Sequence, residues 1–299
     1  MPRATDDKNK ITPNRKKYQI DIRGEKLTIG PDPWLMGILN VTPDSFSDGG
    51  QFFEPDRAAE RAAEMIDQGA RIIDIGGEST RPGAREIAVE EEIKRVLPVI
   101  KKLRPRTKAL ISIDTRKSRV ARVALEEGVD LVNDISGLGH DREMTEVVAE
   151  FQVPIIIMHM LGTPETMQIA PHYNNLLFDL KHFFLTRIRQ ALTAGIPEDR
   201  IIIDPGIGFG KTLEHNLQLI NNLEYFLDLG KPVLVGPSRK SFIGLILGVP
   251  AEQRLEGTIA ASILSWLHGA AILRVHDVLQ VKRALQVTES IVKEIKVEE

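Results

Sequence analysis

The sequence predicts an α/β protein in which eight parallel strands, each followed by a helix, close into a (β/α)8 TIM barrel with an N-terminal β-hairpin. From residue 35 onward, short runs of Ile, Val and Leu alternate with amphipathic stretches of helical periodicity. Such alternation is typical of a parallel sheet with right-handed crossovers. Eight units of this kind favour a closed barrel over an open doubly wound sheet.

The predicted barrel strands are short and almost wholly apolar, as expected of strands that are covered on both faces. They span residues 35–41, 71–77, 109–115, 131–136, 154–160, 201–206, 232–238 and 270–277. The stretches between them have the periodicity of helices. Residues 56–70 and 117–130 are the clearest, because each has a glycine near its end, where a left-handed cap would form.

The segment before the barrel divides into two parts. Residues 18–30 alternate apolar and polar side chains on both sides of Arg23-Gly24-Glu25, which predicts a hairpin that plugs or flanks the N-terminal end of the barrel. Residues 1–17 are polar and lack periodicity, so a flexible arm is predicted there. No linker or low-complexity tract interrupts residues 18–299, which are predicted to form one domain.

Composition narrows the function. The net charge of −3 gives no electrostatic case for nucleic acid or an anionic membrane as a partner. No apolar run is long enough to span a bilayer and no secretory signal is recognisable, so we expect a cytoplasmic protein. The absence of cysteine excludes disulfides, thiolate nucleophiles and cysteine-based zinc sites. A metal would be a hard cation such as Mg²⁺, with Asn40 as a candidate ligand.

Polar side chains end nearly every predicted strand, where the apolar pattern does not require them. They are Asn40, Asp74, Asp114, Asn133, His159, Asp204, Ser238 with Lys240, and Arg274 with His276. A single such residue is most often a turn cap. Because the active site of this barrel class lies at the C-terminal strand ends, the whole set favours a ring of donors and acceptors around one mouth.

Three connections at the same end are unusually long. Residues 40–50 and 76–84 are rich in turn-forming residues, and they are predicted to be mobile loops that close over a substrate. Ordinary strand-to-helix turns are the alternative. Residues 162–173 are predicted to be a passive connection that shapes the rim.

Charge at the predicted mouth points to the substrate. Four residues, Arg81, Lys240, Arg274 and His276, supply cationic groups that suit an anionic substrate such as a phosphate. Two carboxylates and an amide, Asp114, Asp204 and Asn133, suit a flat heterocycle with ring N–H and amino groups. The alternative for both carboxylates is a structural salt bridge to Lys240 or Arg274.

The stretch "IIIDPGIGFGKT" at residues 201–212 resembles a phosphate-binding P-loop but does not match one. Pro205 stands where the motif needs its first glycine, and proline has no N–H to offer a phosphate. The dinucleotide pattern G-x-G-x-x-G fails as well. The glycines are therefore predicted to allow a tight turn and to let a ligand ring approach the backbone. Lys211 is predicted to be a loop or helix-start charge rather than a phosphate ligand.

Eight motifs carry a resemblance to a known family: "MGILNVTPDSFSDGG", "DIGGESTRPGA", "SIDT", "NDISG", "MHM", "DPGIGFGK", "GPSRKSFIG" and "RVHD". Their order and spacing over residues 35–285 resemble those of the dihydropteroate synthases. The resemblance implies a transferase of folate biosynthesis. It would join 6-hydroxymethyl-7,8-dihydropterin diphosphate to p-aminobenzoate with Mg²⁺, and release pyrophosphate.

The resemblance also implies roles for individual residues. The pterin pocket would be lined by Asp114, Asn133, Asp204 and Lys240, with Met158 and Phe209 as apolar walls. The diphosphate would meet Arg274 and His276, with Asn40 on the Mg²⁺ ion, and Thr80 and Arg81 would sit on the second mobile loop. The p-aminobenzoate would lie beside Phe46, Pro82 and Ser241. Catalysis would depend on Arg81, Lys240, Arg274 and His276. Inhibition by sulfonamides and a homodimer formed by helices late in the chain are further implications.

Two other functions remain open at this stage. A pterin-binding barrel of the methyltetrahydrofolate methyltransferase type would share the two carboxylates and the amide, but it needs no diphosphate site. A barrel used only as a binding or scaffold module would not need Arg81, Lys240 or Arg274, and all three are present.

Overall fold

The computed structural model describes residues 16–30, 32–42 and 55–294. Two antiparallel strands, β1 (Tyr18–Ile22) and β2 (Glu25–Ile29), form the predicted hairpin. Eight parallel strands then close into a barrel in the order β10-β3-β4-β5-β6-β7-β8-β9. The barrel strands are β3 (Trp34–Asn40), β4 (Ile72–Gly76), β5 (Leu110–Asp114), β6 (Leu131–Asp134), β7 (Ile155–Met158), β8 (Ile201–Asp204), β9 (Val233–Val235) and β10 (Ala270–Val275). The predicted fold class is confirmed.

Helices cover the outside of the barrel. They are α1 (Pro55–Asp67), α2 (Val89–Leu103), α3 (Ser118–Glu126), α4 (Met144–Phe151), α5 (Leu176–Thr193), α6 (Leu213–Asn221), α7 (Ser241–Leu247), α8 (Leu255–Leu267) and α9 (Val278–Lys293). The two helices with the clearest sequence signal, α1 and α3, are followed by Gly69 and Gly128 with positive φ, as a left-handed turn after a helix requires. Among the described residues, no helix is both long and apolar enough to cross a membrane.

Alternation along each strand sorts the side chains into two cores. In β4, Ile73 and Ile75 face outward and pack with the helices, whereas Ile72 joins a second cluster inside the barrel. The same alternation makes Ile111 and Ile113 of β5 face outward. Successive strand side chains point to opposite faces, so the residue two positions after each lower interior residue also points inward, one layer closer to the C-terminal end.

The hairpin closes the N-terminal end of the barrel. Its buried side chains Tyr18, Ile20, Ile22 and Ile29 pack directly on the lower interior layer. That layer consists of Trp34, Met36, Ile72, Leu110, Leu131, Ile156, Ile202, Leu234, Ala271 and Ile272. The sequence left open whether the hairpin plugs or flanks the barrel, and the structure shows a plug.

A buried carboxylate fixes the hairpin to the barrel wall. Asp130 accepts hydrogen bonds from the Nε and Nη2 atoms of Arg23 in the hairpin turn, the latter at 2.6 Å. It also accepts from Arg104 Nη1 at 3.0 Å and from the backbone N–H of Ile111 at 2.7 Å. One carboxylate therefore joins the hairpin, the end of α2 and the start of β5.

The plug should contribute to stability and not to chemistry. We expect Ile20→Ala to lower the free energy of unfolding by about 2–5 kcal/mol, because Ile20 is fully buried and its truncation leaves a cavity. Urea denaturation measures this change. Lys26→Ala, on the exposed side of the same hairpin, is the control and should cost less than about 0.5 kcal/mol. Equal effects of the two substitutions would contradict the plug.

Candidate active site

The interior layer at the C-terminal end of the barrel is polar. Strand pairing sets Asp114 beside Asn133, Gly76 beside Asp114 and Asp204 beside Met158. These residues lie two or four positions after lower interior residues, as Asn133 follows Leu131 and Asp114 follows Leu110, so the alternation of the strands turns them inward. The mouth is thus the continuation of the apolar core by one further layer of side chains.

Arg274 is the central contact of this layer. Its Nε atom donates to Asp74 Oδ2 at 2.6 Å, and its Nη2 atom donates to Asp114 Oδ2 at 2.7 Å. The amide Nδ2 of Asn133 also donates to Asp74 Oδ2, at 3.1 Å. One hydrogen-bond network therefore joins Arg274, which was predicted to bind phosphate, and Asn133, which was predicted to bind the pterin. The carboxylates of Asp74 and Asp114 connect them. The salt bridge to Asp114 is the structural pairing that the sequence left open as an alternative.

Several oxygens of this network are buried without accepting a hydrogen bond from any residue that the structure describes. They are Asp74 Oδ1, Asp114 Oδ1 and Asn133 Oδ1. A buried polar atom without a partner costs about 1–3 kcal/mol. Three such acceptors on adjacent strands form a surface suited to a ligand that brings N–H donors.

Burial also changes the charge of the carboxylates. It raises the pKa of Asp114 to about 7, although Arg274 opposes the shift; Asp74 adds to it by repulsion. Burial likewise raises the pKa of Asp204 to about 6, opposed by the backbone N–H of Gly206, which donates to Asp204 Oδ1 at 2.7 Å. At neutral pH both carboxyl groups are therefore close to their titration midpoints, and a ligand can favour either protonation state.

An apolar wall faces the polar layer. Met158 and Phe209 are buried together, as the sequence predicted, in a cluster with Ile135 and Met167. The ammonium of Lys240 lies 3.9 Å from the centre of the Phe209 ring, a cation–π contact. Burial lowers the pKa of Lys240 to about 8, with further lowering by Arg274. A flat ring placed here would contact methionine sulfur and the Phe209 ring, and it would lie beside the ammonium of Lys240.

The glycines of the loop after β8 allow a tight turn, as the sequence predicted, since Gly206, Gly208 and Gly210 all have positive φ. Two of them also make room for the protein's own chain. A Cβ on Gly206 would lie 2.0 Å from the carbonyl oxygen of His159, and a Cβ on Gly210 would lie 2.6 Å from that of Leu161. Both glycines also have positive φ, which side chains disfavour. The loop packs against the segment after β7 at backbone contact.

Lys211 lies just before α6, as the sequence predicted for a loop or helix-start charge, and the structure adds that it is buried. Its Nζ atom is 3.1 Å from His159 Nδ1 and donates to the carbonyl of Phe209 at 2.9 Å. Burial lowers the pKa of Lys211 to about 7, and burial also holds the pKa of His159 well below its usual value. The pair joins the end of β7 to the glycine loop.

His276 is not one of the cations. Burial lowers its pKa to about 3, and Arg274 lowers it further by repulsion, so the imidazole is neutral. Its Nδ1 atom is 3.0 Å from Ser238 Oγ, which also accepts the backbone N–H of His276 at 3.2 Å. The sequence counted His276 among four cations on one rim, whereas in the structure burial disfavours the proton on its imidazole.

The predicted loop residues lie outside this network. Arg81 and Pro82 are exposed, Thr80 is half-buried, and Ser241 is an exposed first residue of α7. Phe46 lies outside the described residues. The connection at residues 162–173, predicted to be passive, does more than link two elements: it supplies Met167 to the apolar wall. It also braces the glycine loop, through Gln168 to the Gly208 carbonyl and Tyr173 to the Gly210 carbonyl, both at 2.8 Å.

Asn40 could supply only one ligand, its amide oxygen, to a metal ion. Among the described residues, no three His, Cys, Asp or Glu side chains are grouped to hold a metal ion. Asn40 is half-buried at the end of β3, where it pairs with Gly76. One neutral amide oxygen fits an Mg²⁺ ion that takes its other ligands from phosphate and water, which is the usual manner of binding for this ion.

Comparison with known proteins decides the family. The family model "Pterin binding enzyme" matches residues 36–276. The dihydropteroate synthase of Clostridium beijerinckii is 47% identical over 275 residues, which cover 92% of this chain and all of that one. The Escherichia coli dihydropteroate synthase is 45% identical over 258 residues, 86% of this chain and 91% of that one. The chain belongs to the dihydropteroate synthase family of pterin-binding enzymes.

Solved structures of dihydropteroate synthases share the fold. A Yersinia pestis enzyme in a sulfonamide drug complex has a TM-score of 0.87 and 42% identity, over 92% of this chain and 99% of that one. A Xanthomonas albilineans enzyme in complex with 7,8-dihydropteroate has a TM-score of 0.83 and 39% identity, over 93% of this chain and all of that one. The predicted family, barrel and transferase class are confirmed.

Sequence reasoning missed part of the site. Asp74 was noted at a strand end but given no role, although its carboxylate holds both Arg274 and Asn133. Ile135 and Met167 were not connected with the apolar wall. Asp74 could have been found from its register, because it is an acid in the centre of an otherwise apolar strand. Met167 carried no such signal, because its position depends on how a long connection folds back.

The raised pKa of Asp204 gives a test on the folded protein. Its folded pKa of about 6 lies above the value of 3.8 for an unperturbed aspartate. The stabilising contribution of this group is therefore fully present below pH 3.8 and is lost as the pH rises through 6. Asparagine cannot ionise, so Asp204→Asn should be more stable relative to wild type at pH 8 than at pH 4, by on the order of 2 kcal/mol. Urea denaturation at both pH values measures this, and a pH-independent difference would contradict it.

Proposed function

We propose that the chain is a dihydropteroate synthase that joins 6-hydroxymethyl-7,8-dihydropterin diphosphate to p-aminobenzoate. The bond between the pterin methylene carbon and the diphosphate oxygen breaks, and pyrophosphate leaves with the bonding electrons. The amine nitrogen of p-aminobenzoate forms a new bond to the same carbon and loses a proton. The products are 7,8-dihydropteroate and pyrophosphate. The observation that carries this proposal is the set of buried, unpartnered acceptors on Asp74, Asp114 and Asn133 beside Arg274.

The pterin would lie between the polar layer and the apolar wall. Its ring N–H and amino groups are donors, and the free oxygens of Asp114 and Asn133 are acceptors on adjacent strands. Asp204 supplies a third oxygen from β8, which is separated from β6 by one strand. Met158 and Phe209 would pack against the faces of the ring, where positive charge develops as the diphosphate leaves. A carboxylate at this depth stabilises that charge strongly, because little water is present to screen it.

Departure of the diphosphate needs positive groups and hydrogen-bond donors. Arg274 lies at the mouth with its guanidinium on two carboxylates, and Lys240 lies nearby over Phe209. His276 takes part as a neutral donor. Because Ser238 Oγ already accepts the backbone N–H of His276, its own proton can go to Nδ1, which leaves the ring proton on Nε2 for a phosphate oxygen.

We further propose that Asn40 and the substrate diphosphate hold an Mg²⁺ ion together. Bound there, the ion would neutralise charge on the leaving group. The chain's own part is to present one amide oxygen at the end of β3 and to keep the neighbouring cations in place. The amine of p-aminobenzoate is a sufficient nucleophile, so no strong general base is required. Thr80, Arg81, Pro82, Phe46 and Ser241 are proposed to surround the diphosphate and p-aminobenzoate when the loops exclude water.

We also propose that the chain forms a homodimer through its late helices. The exposed side chains of α7 are unusually apolar: Leu245, Ile246 and Leu247 are 69%, 55% and 49% exposed. Leu264 of the adjacent helix α8 is 49% exposed, and Leu217 of α6, which contacts both helices, is 44% exposed. An apolar patch formed by three neighbouring helices suits a second copy of the same surface.

The assignment of the cations is tested by turnover. Lys240→Ala and Arg274→Gln should each lower kcat/KM at least about 100-fold, because each removes a donor that stabilises the developing charge. Glutamine at residue 274 keeps a donor for the buried carboxylates, which limits unfolding. Lys181→Ala is the control, since Lys181 pairs with Asp228 on the outer surface. A near-normal rate in either mouth variant, with the fold intact by circular dichroism, would refute its role.

The reaction itself is tested by pyrophosphate release. Release should require both the pterin diphosphate and p-aminobenzoate, and it should stop when Mg²⁺ is chelated. Release stimulated by the pterin alone would indicate hydrolysis and would overturn the proposal. Sulfonamides should compete with p-aminobenzoate, and a rate unchanged by millimolar sulfonamide would contradict the proposed p-aminobenzoate site.

A charged substitution in the apolar patch tests the proposed dimer. Leu245→Glu should convert the protein to a monomer in analytical ultracentrifugation, because a buried unpaired carboxylate opposes association. Ile169→Glu is the control, since Ile169 is 75% exposed on a different connection. A dimer that persists at micromolar concentration in the first variant would rule out this interface.

A further inference from the structure

A buried cluster of charged side chains lies beneath the connection between β4 and α2, and none of its members belongs to the site described above. The connection comprises residues 77–88 and carries Thr80 and Arg81. The cluster contains Glu78, Glu92, Arg116 and Lys117, with side chains that are 1–7% exposed. Two cations and two anions are therefore enclosed at the base of the loop.

Lys117 is fully occupied by this loop. Its ammonium donates to Glu78 Oε2 at 2.6 Å and to Glu92 Oε2 at 2.7 Å. The third hydrogen bond goes to the backbone carbonyl of Ile87 at 2.8 Å. A lysine has three N–H donors, and here one contacts the start of the loop, one its end and one the first turn of the next helix.

Glu78 ties the same two ends together from the other side. Its Oε2 atom accepts the backbone N–H of Ile87 at 2.9 Å, and its Oε1 atom accepts Arg116 Nε at 3.2 Å. Arg95 on α2 adds a hydrogen bond to the carbonyl of Gly77 at 3.0 Å. The outgoing and returning ends of the loop are thus closed into a ring, which leaves the segment from Ser79 to Glu86 between them.

The cluster of Glu78, Glu92, Arg116 and Lys117, called the clamp from here on, is also connected to the mouth of the barrel. Arg116 and Lys117 follow Asp114 by two and three residues in the connection from β5 to α3. The strand end that holds Asp114 on Arg274 therefore also carries the two cations of the clamp. At the tip of the loop, the N–H of Gly83 donates to the carbonyl of Pro164 at 2.9 Å.

The cluster is better explained by the position that it gives to the backbone of the loop than by a gain in stability. Buried ion pairs pay a large desolvation cost, and replacing a whole pair by apolar side chains often leaves a protein equally stable. What an ion network with fixed hydrogen bonds does supply is a defined position for the backbone it holds. A reacting cation that is misplaced by about 1 Å can cost about 100-fold in rate.

We propose that Glu78 and Lys117 are positioning residues that clamp the base of loop 77–88, so that Arg81 and Thr80 reach the diphosphate in one orientation. This inference rests on the proposed function for the use made of the loop. The clamp itself is a property of the fold and can be measured separately.

The test compares Lys117→Met, Glu78→Gln and Lys117→Arg with wild type in the full-length protein. Three quantities are measured: steady-state kcat and KM for both substrates, the Kd of 6-hydroxymethylpterin, and amide hydrogen exchange of the peptide covering residues 77–88. The control is Arg122→Met, which breaks the exposed ion pair between Arg122 on α3 and Glu150 on α4 without touching the loop.

In Lys117→Met and Glu78→Gln, kcat should fall at least about tenfold and amide exchange within residues 77–88 should rise. The Kd of 6-hydroxymethylpterin should stay within about twofold of wild type, because Asn133 and Asp204 are untouched. Lys117→Arg keeps the charge and should recover part of the loss. Arg122→Met should match wild type in all three measurements.

Each other outcome is informative. Wild-type kcat and wild-type exchange in both clamp variants would overturn the inference. A loss of pterin affinity in proportion to kcat would assign the cluster a merely structural role. If Lys117→Met does not fold, Glu78→Gln decides, because it keeps the size of the side chain. A wild-type protein that makes no dihydropteroate would refute the proposed function, and the exchange measurement would still decide whether the clamp holds the loop.

Discussion

The salt bridges of Arg274 to Asp74 and Asp114 organise the mouth of the barrel. These residues come from β10, β4 and β5, and they meet only because β10 closes the barrel against β3. One guanidinium keeps two buried carboxylates on neighbouring strands from repelling each other unopposed, and its fork geometry fixes which oxygen of each is used. The other oxygens of those carboxylates accept no hydrogen bond from any residue that the structure describes. Closure of the fold and preparation of the site are therefore the same event.

The desolvated charged groups at the mouth lower the stability of the folded protein, and the proposed chemistry requires that desolvation. Burial brings the pKa values of Asp114, Asp204 and Lys240 close to neutrality, which means that each charged form is poorly solvated. Such groups interact strongly with charge that develops in a reaction, because no solvent must reorganise. The stability that offsets this cost comes from the apolar layer immediately below, which the hairpin closes with Ile20 and Ile22. The interior is thus divided into an apolar lower half, which supplies stability, and a polar upper half, which supplies the reactive groups.

Much of this could be predicted from the sequence, because it depends on periodicity. An alternation of two fixes which strand residues face inward, so the acids Asp114 and Asp204 could be assigned to one mouth without coordinates. Quantities that depend on solvation could not be predicted. His276 is neutral and Lys211 is buried because of atoms contributed by other segments, and the sequence pattern records neither. The close contact of Gly206 with the carbonyl of His159 could not be predicted for a related reason, because a contact between two loops has no local signature.

The same geometry separates the proposed synthase from its alternatives. A scaffold barrel would have no use for buried acceptors on Asp74 and Asn133, since leaving each of them without a hydrogen bond costs free energy. A pterin-dependent methyltransferase would use those acceptors, but it needs no site for a diphosphate. Arg274 contacts Asp74 and Asp114 from the end of β10. Under the proposed function this one side chain would join recognition of the heterocycle to recognition of the diphosphate, and neither alternative requires such a group.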